Sequence, residues 1–500
     1  MNTRSTARGL GLLTAVAAIS TLTAPVALAA PAAPTPVPAS SKKLPAQPKD
    51  DFNGDGYADL AVGSPQGRIG QENSAGYVSV VYGSESGLNT ASKQILHQGS
   101  KGIPGTPRAM EHFGTSLTSA DFDRDGYADL AIGAEGEAPR PGEKITGETV
   151  VVWGGAQGLA RAKPTTRFND HGDELVAGDF DGDGNPDLIS ARYQDAVLRV
   201  LHGPFDALGK PARESSVPTP HPNENEYRNL IGLKAGDVNG DGNTDLVGLI
   251  DVRDEGGYWH TGLVSWKGTA TGPTPYRYVG DHRRQLIPGE SLDVGDVNKD
   301  GYADIAVGIR YANDVGPGVH KGGQVTFIKG SAKGPLGSRN RVFHLDSPGV
   351  PGSSRTGQGF GVSVSVGDLD GDSYGDIAVG ANGTTVDGKT MSGSVITLRG
   401  TASGPTSKGA KEFHQNTKGV PGTAEQSDRF GGVVNLIDGN GDGRNELAVS
   451  SLHEDDMTGA VWVFKTDKNG VTPNGSFVYG PRALGLPADN ELMFGSTYTS

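Results

Sequence analysis

The sequence predicts an all-β protein, a seven-bladed β-propeller of four-stranded antiparallel blades closed by its own C-terminal strand. Three observations carry this prediction. An acidic hairpin motif recurs seven times, each recurrence is followed by the same succession of strand signals, and the chain ends in a strand that its first repeat lacks.

The motif comes first. Aligned on its leading Asp, it reads DFNGDGYADL from Asp51, DFDRDGYADL from Asp121, DFDGDGNPDL from Asp179 and DVNGDGNTDL from Asp237. It continues as DVNKDGYADI from Asp296, DLDGDSYGDI from Asp368 and DGNGDGRNEL from Asp438, so successive copies lie 58 to 72 residues apart. A period of that size, with several strand signals per unit, indicates propeller blades.

Within each unit the acidic loop leads into a short apolar run such as DLAVGSP, DLAIGAE, DIAVGIR or DIAVGAN. A variable loop follows, then an alternating strand (GYVSVVYG, GETVVVWG, GGQVTFIKG, SGSVITLRG, TGAVWVFK), a turn ending in Gly-Leu or Gly-Pro, and an outer strand. With the strand that enters the acidic loop, that makes four.

Closure is read from the ends. HFGTSLTSAD, GFGVSVSVGD and RFGGVVNLID precede copies two, six and seven, whereas copy one has no such strand. The terminal MFGSTYTS supplies it, so residues 494–500 are expected to complete the first blade and leave no open edge. Leu96, Phe343, Phe413 and Phe477 each stand 17 positions before the Phe of a Phe-Gly pair, at Phe113, Phe360, Phe430 and Phe494. The tails LHQGSKGIPG, FHLDSPGVPG and FHQNTKGVPG that begin at three of them should pack with that pair as one unit. His97, His344 and His414 fall at equivalent points of the tails and are expected to be structural.

Crowded carboxylates repel one another unless something positive sits among them. In D-x-[DN]-x-D-G-x-x-D, side chains at positions 1, 3, 5 and 9 and the carbonyl of position 7 can converge, and Gly at position 6 permits the sharp turn. The expected ligands are Asp51, Asn53, Asp55, Tyr57 and Asp59 in copy one, and Asp121, Asp123, Asp125, Tyr127 and Asp129 in copy two. They are Asp179, Asp181, Asp183, Asn185 and Asp187 in copy three, and Asp237, Asn239, Asp241, Asn243 and Asp245 in copy four. Copies five and six offer Asp296, Asn298, Asp300, Tyr302 and Asp304, then Asp368, Asp370, Asp372, Tyr374 and Asp376. Copy seven offers Asp438, Asn440, Asp442, Arg444 and Glu446.

An all-oxygen, flexible set of this kind suits Ca²⁺ better than Mg²⁺, which demands a tighter octahedron. An EF-hand would carry Glu at position 12, where copies one and two have Val62 and Ile132, and would be flanked by helices. The expectation is therefore calcium hairpins, up to seven. Copy six, with Ser373 at position 6, and copy seven, with Gly439 at position 2 and Glu446 at position 9, are expected to be the weakest or most altered.

Bulk properties agree. Gly (78) and Pro (31) exceed a fifth of the 500 residues, which favours many short strands joined by turns. A net charge of −14 disfavours nucleic acid and anionic membranes as partners. There is no Cys, so no disulfide reinforces the fold. Residues 1–30 read as a signal peptide: Arg4 and Arg8 precede an apolar segment that ends in Ala27-Leu28-Ala29. Residues 31–50 read as a Pro/Ala-rich linker and 51–500 as the propeller. No later segment reaches the ~20 apolar residues of a membrane helix. Loss of the two arginines would give −16, which seven Ca²⁺ would nearly cancel.

The Phe-Gly strand, the DxDxDGxxDL loop and the following AIGA or AVGA resemble the FG-GAP repeats of integrin α-subunit head propellers and their bacterial relatives, over about residues 51–500. The resemblance implies a seven-bladed propeller with Ca²⁺ in the hairpins of one face. It departs from the family in that all seven loops look competent, where the family carries Ca²⁺ on some blades. A free-standing, secreted, extracellular, monomeric adhesion or ligand-binding module for a protein or glycan is the expectation. The alternative is an extracellular hydrolase or polysaccharide lyase on the same scaffold.

A Walker A match, GTTVDGKT at 383–390, precedes a strand where a phosphate cradle needs a helix. The face opposite the hairpins should gather the variable loops, with Arg140, Lys144, Tyr258, Trp259, His260, Arg310, Tyr311 and His320 as candidate ligand contacts.

Overall fold

The computed structural model describes residues 49–103, 105–138, 143–159, 166–168, 172–192, 197–220, 227–253, 259–310, 319–489 and 491–499. The expected signal peptide and nearly all of the linker lie outside them.

Seven antiparallel sheets of four strands account for the described residues. Blade 1 combines Leu60–Ser64, Tyr77–Val81 and Lys93–Leu96 with Thr497–Tyr498 from the far end of the chain. Blade 2 is Phe113–Ala120, Asp129–Ala134, Glu148–Val152 and Thr166–Phe168; blade 3 is Glu174–Gly178, Asp187–Ala191, Val197–His202 and Arg213–Pro218. Blade 4 is Tyr227–Gly236, Asp245–Arg253, Trp259–Trp266 and Arg277–Tyr278; blade 5 is Ser291–Gly295, Asp304–Ile309, Gln324–Ile328 and Arg341–Phe343. Blade 6 is Phe360–Gly367, Asp376–Ala381, Ser394–Arg399 and Thr406–Phe413, and blade 7 is Phe430–Ile437, Glu446–Ser451, Ala460–Asp467 and Gly470–Tyr479.

The closing strand is short. Thr497 pairs with Gly63 and Tyr498 with Val62, while Phe494, fully buried, anchors the approach. First strands line an axial channel edged by Ser116, Glu174, Lys234, Asp293, Ser363, Asn435 and Thr497.

The polar–apolar alternation of the third strands does not mark a wet face. Ser79, Thr149, Thr326 and Thr397 are as buried as the valines beside them, because a neighbouring blade covers each side. The core is accordingly a ring of layers between blades. One layer joins Val78, Val80 and Leu96 of blade 1 to Phe113, Leu117, Leu130 and Ile132 of blade 2. Another joins Leu60, Val62 and Tyr77 of blade 1 to Ala448, Val461 and Val463 of blade 7 and to Phe494 and Tyr498.

The tail residues do pack with their Phe-Gly partners: Leu96 shares a layer with Phe113, Phe343 with Phe360, Phe413 with Phe430, and Phe477 lies against the layer of Phe494. The tail histidines hold matching turns, in which the N–H groups of His97, His344 and His414 donate to Ser100, Ser347 and Thr417.

The glycines of the second strands explain themselves by proximity. A Cβ at Gly63, Gly308 or Gly380 would lie 2.1–2.2 Å from the carbonyl oxygen of Gly114, Gly361 or Gly431, each the glycine of a Phe-Gly pair in the next blade. Blade 3 has no Phe-Gly pair, yet the Gly172 carbonyl takes the same place against Gly133, at 2.0 Å.

Candidate functional site: the acidic hairpin face

Each hairpin is first a cage of backbone amides around carboxylates. In copy one, Asp51 Oδ1 accepts the N–H groups of Gly54 (2.7 Å) and Asp55 (3.2 Å), and Oδ2 accepts that of Gly56 (2.9 Å). Asp55 accepts the N–H of Tyr57 at 3.1 Å. The pattern recurs around Asp121, Asp179, Asp237, Asp296, Asp368 and Asp438. Position 6 needs a left-handed backbone rather than room: a Cβ at Gly56, Gly126 or Gly301 would meet nothing within 4 Å, although φ is +83° to +94°. Ser373 adopts φ 66° and its N–H still donates to Asp368 at 2.7 Å, so copy six keeps the loop conformation.

Position 9 has a structural duty of its own. Asp59 accepts the N–H of Phe52 (2.9 Å) on one oxygen and that of Gly83, at the end of the third strand, on the other (2.9 Å). Asp129, Asp187, Asp245, Asp304 and Asp376 accept the equivalent amides of Gly154, Gly203, Gly268, Gly330 and Gly400 at 2.7–2.9 Å. These acids tie hairpin to strand, a role absent from the sequence reading although the glycine that ends each third strand signals it. In copy seven, Glu446 accepts the Gly439 N–H and an amide proton of Asn440, at 2.9 and 2.6 Å. Gly439 leaves space that Leu88 of blade 1 fills, with Cγ 2.9 Å from where a Cβ would stand.

Position 7 side chains reach over the hairpin before their own. A Cβ added at position 4 would meet Tyr127 from Gly54, Asn243 from Gly182, Tyr302 from Gly240, Arg444 from Gly371 and Tyr57 from Gly441. Where position 4 is not glycine the contact is polar: Arg124 donates to Asn185 Oδ1 (2.9 Å), and Lys299 Nζ stands 5.8 Å from the Tyr374 ring centroid. Seven such contacts run once around the face. Backbone bonds reinforce them, as when the N–H groups of Ala128, Thr244, Ala303, Gly375 and Asn445 reach the position 1 carbonyl of the preceding copy.

The remaining oxygens can hold a metal. Carboxylate oxygens of Asp121, Asp123 and Asp129 lie within 4.8 Å of one another, as do those of Asp179, Asp181 and Asp183 and those of Asp368, Asp370 and Asp376. At position 3, Asp181 Oδ1, Asn298 Oδ1 and Asp370 Oδ1 are buried and accept no hydrogen bond. A buried acceptor left in that state is costly unless a cation meets it. The acids are correspondingly reluctant to ionise alone. Burial, with Asp51 and Asp55 adding repulsion, pushes Asp59 up to about 8, and burial raises Asp304 to about 6 and Asp376 and Glu446 to about 7.

Copy three brings in one residue that the sequence reading missed. His202, at the end of its third strand, is 1 % exposed, with Nδ1 3.2 Å from Asp181 and 3.4 Å from Asp187 and Nε2 2.7 Å from Ser215 Oγ.

Of the candidate ligand contacts, Arg140, Tyr258, Tyr311 and the Trp259 side chain lie outside the described residues, whereas Lys144, His260, Arg310 and His320 lie within them. GTTVDGKT forms a turn in which Val386 and Lys389 exchange backbone hydrogen bonds, with no helix after it.

Ring, blade count and repeated acidic hairpins define a seven-bladed β-propeller of four-stranded antiparallel blades. Its repeats are FG-GAP repeats: the FG-GAP repeat family matches residues 49–81, 113–152, 288–328 and 360–398, and the FG-GAP-like repeat family matches 179–248. Among curated proteins, the chain is 31 % identical over 204 residues to the phosphatidylinositol-glycan-specific phospholipase D of Mus musculus, covering 38 % of this chain and 22 % of that protein. It is 32 % identical over 232 residues to integrin alpha-PS2 of Drosophila melanogaster, covering 42 % of this chain and 15 % of that one. The matched part thus spans less than a quarter of the length of these relatives. A periplasmic gluconolactonase of Pseudomonas aeruginosa superposes with a TM-score of 0.42 at 12 % identity, covering 84 % of this chain and 95 % of that one. Among the described residues, no helix is long and apolar enough to cross a membrane.

Proposed function

We propose that this chain is a secreted, extracellular propeller whose hairpins bind Ca²⁺ and whose opposite face binds a protein or glycan as an adhesion module. The observation that carries the calcium reading is the set of buried, unpartnered position 3 oxygens at Asp181, Asn298 and Asp370, each within an all-oxygen acidic hairpin. The position 1, 3, 5 and 9 side chains would hold the ion, with the position 7 carbonyls. Bound calcium would offset the mutual repulsion of the acids and stiffen the belt of hairpin-to-hairpin contacts, so that the loops opposite keep a fixed arrangement. The likeness to integrin alpha chains supports a protein ligand, and the apolar N-terminal segment with its Ala27-Leu28-Ala29 site supports export.

A glycan and surface-protein binding screen with and without Ca²⁺ tests the adhesion reading. Saturable binding that is lost on chelation is the expected result; absence of binding to every probe counts against it. The likeness to phosphatidylinositol-glycan-specific phospholipase D keeps an extracellular hydrolase as the second reading, which turnover of glycosylphosphatidylinositol, ester or polysaccharide substrates would establish.

A further inference from the structure

The hairpins do not carry the same charge load: among the described residues, hairpins 3 to 7 each have a basic residue paired with one of their own acids, and hairpin 1 has none. Carried one residue beyond the last pair of the second and third strands, the register sets position 9 across from Tyr82, Trp153, His202, Lys267, Lys329, Arg399 and Lys465 in blades 1 to 7. Lys267 Nζ stands 2.9 Å from Asp241 Oδ2 and Lys329 Nζ 2.6 Å from Asp300 Oδ2, each the position 5 acid of its own hairpin. Arg399 pairs with Asp370 and, at 3.3 Å, with Asp372. In blade 3, Arg213 reaches Asp181 at 2.9 Å. In blade 7, Lys465 turns away to the Ser86 carbonyl, and Arg444 pairs with Asp442 instead.

Hairpins 1 and 5 make a natural controlled pair. Both present Asp, Asn, Asp, Tyr and Asp at positions 1, 3, 5, 7 and 9. In hairpin 5, Lys329 neutralises Asp300, while Lys299 at position 4 lies over Tyr374 of the next hairpin. In hairpin 1, Asp51, Asp55 and Asp59 take their partners from backbone amides and Asn53, and Tyr82 gives its hydroxyl hydrogen to Gln94. No Lys or Arg pairs with these three acids among the described residues.

We infer that in blades 1, 4, 5 and 6 the residue opposite position 9 sets the hairpin's demand for an external cation: Lys267, Lys329 and Arg399 supply part of the positive charge in blades 4, 5 and 6, and hairpin 1, with Tyr82 there, depends on a divalent ion. The donors of hairpins 4 to 6 are retained, so their affinity falls without vanishing. This rests on the calcium reading above and deepens it. One ammonium 2.6 Å from a donor carboxylate competes directly with the ion for that oxygen, and its repulsion of a divalent ion lowers affinity by about tenfold or more.

The test is calcium titration of the full chain by calorimetry, with Tb³⁺ luminescence as a second readout, on wild type, Lys329→Met and Tyr82→Lys. Two or more affinity classes are expected in wild type. Lys329→Met should move one site from the weak to the tight class by about tenfold, and Tyr82→Lys should move one the other way. Circular dichroism confirms folding, and Lys267→Met provides an independent variant should either of the first two fail to fold. Seven equal sites that ignore these substitutions would overturn the inference while leaving the calcium reading intact. No calcium uptake by wild type would overturn both.

Discussion

Ser450 Oγ donates to the carbonyl oxygen of Gly495 at 2.7 Å and lies 2.5 Å from the Tyr498 hydroxyl oxygen. The second strands of blades 1, 2, 5 and 6 have glycine at this point, pressed against the next blade's carbonyl, as Gly63 is against Gly114. At the seam the close approach is exchanged for side-chain hydrogen bonds. Chain ends that have no covalent continuity are thereby held by directional contacts as well as by burial of Phe494.

Deleting residues 494–500 should therefore unfold the ring rather than trim it. Phe494→Ala alone should lower unfolding free energy by about 3–5 kcal/mol, the range for a fully buried Phe. Urea denaturation of the two variants checks this, and a truncated chain with wild-type midpoint would refute closure.

The inter-blade glycines should be more sensitive than the hairpin glycines. Gly308→Ala places a methyl 2.2 Å from the Gly361 carbonyl and should cost more than Gly56→Ala, which meets open space and adds only the strain of φ +94°. Values of about 3 kcal/mol or more against about 1–2 kcal/mol are expected. Equal melting temperatures for the two variants would contradict the close packing of blades.

Chelation should lower the melting temperature markedly, since each ion held at a hundredfold excess over its Kd adds about 2.7 kcal/mol. Scanning calorimetry with EDTA and with millimolar CaCl₂ measures it. An unchanged transition would reject calcium as a structural ligand.

Glu454 offers a pH dependence away from the hairpins. Burial, with Asp428 nearby, pushes its carboxyl from 4.5 up to about 7, and Gln415 Nε2 donates to it at 2.8 Å. A group with a raised folded-state pKa contributes its stability in full below pH 4.5 and loses it as pH rises through about 7. With calcium in excess, wild type should lose more stability than Glu454→Gln between about pH 5 and pH 8. Parallel melting curves for the two would refute the assignment.

Much of this was legible in the sequence. Seven copies of the acidic hairpin carried the blade number, and MFGSTYTS carried the closing strand, because both are local patterns. The reasons for the glycines were not, since Gly63 meets Gly114 only through ring geometry. Candidate ligand positions 1, 3, 5 and 9 could be named from spacing, yet the bond of Asp59 to Gly83 depends on a strand 24 residues away. The basic residues Lys267, Lys329 and Arg399 were hidden for the same reason. Only strand register shows that they stand across from position 9.

The tyrosine and arginine side chains that reach from one hairpin over its predecessor include Tyr57 over Gly441, which joins the two numbered ends of the series. A belt of that kind has no first or last member. New termini could thus be opened in an exposed outer turn, such as that at Ala402–Ser403, with the present ends linked, and the circular permutant should fold as the same wheel.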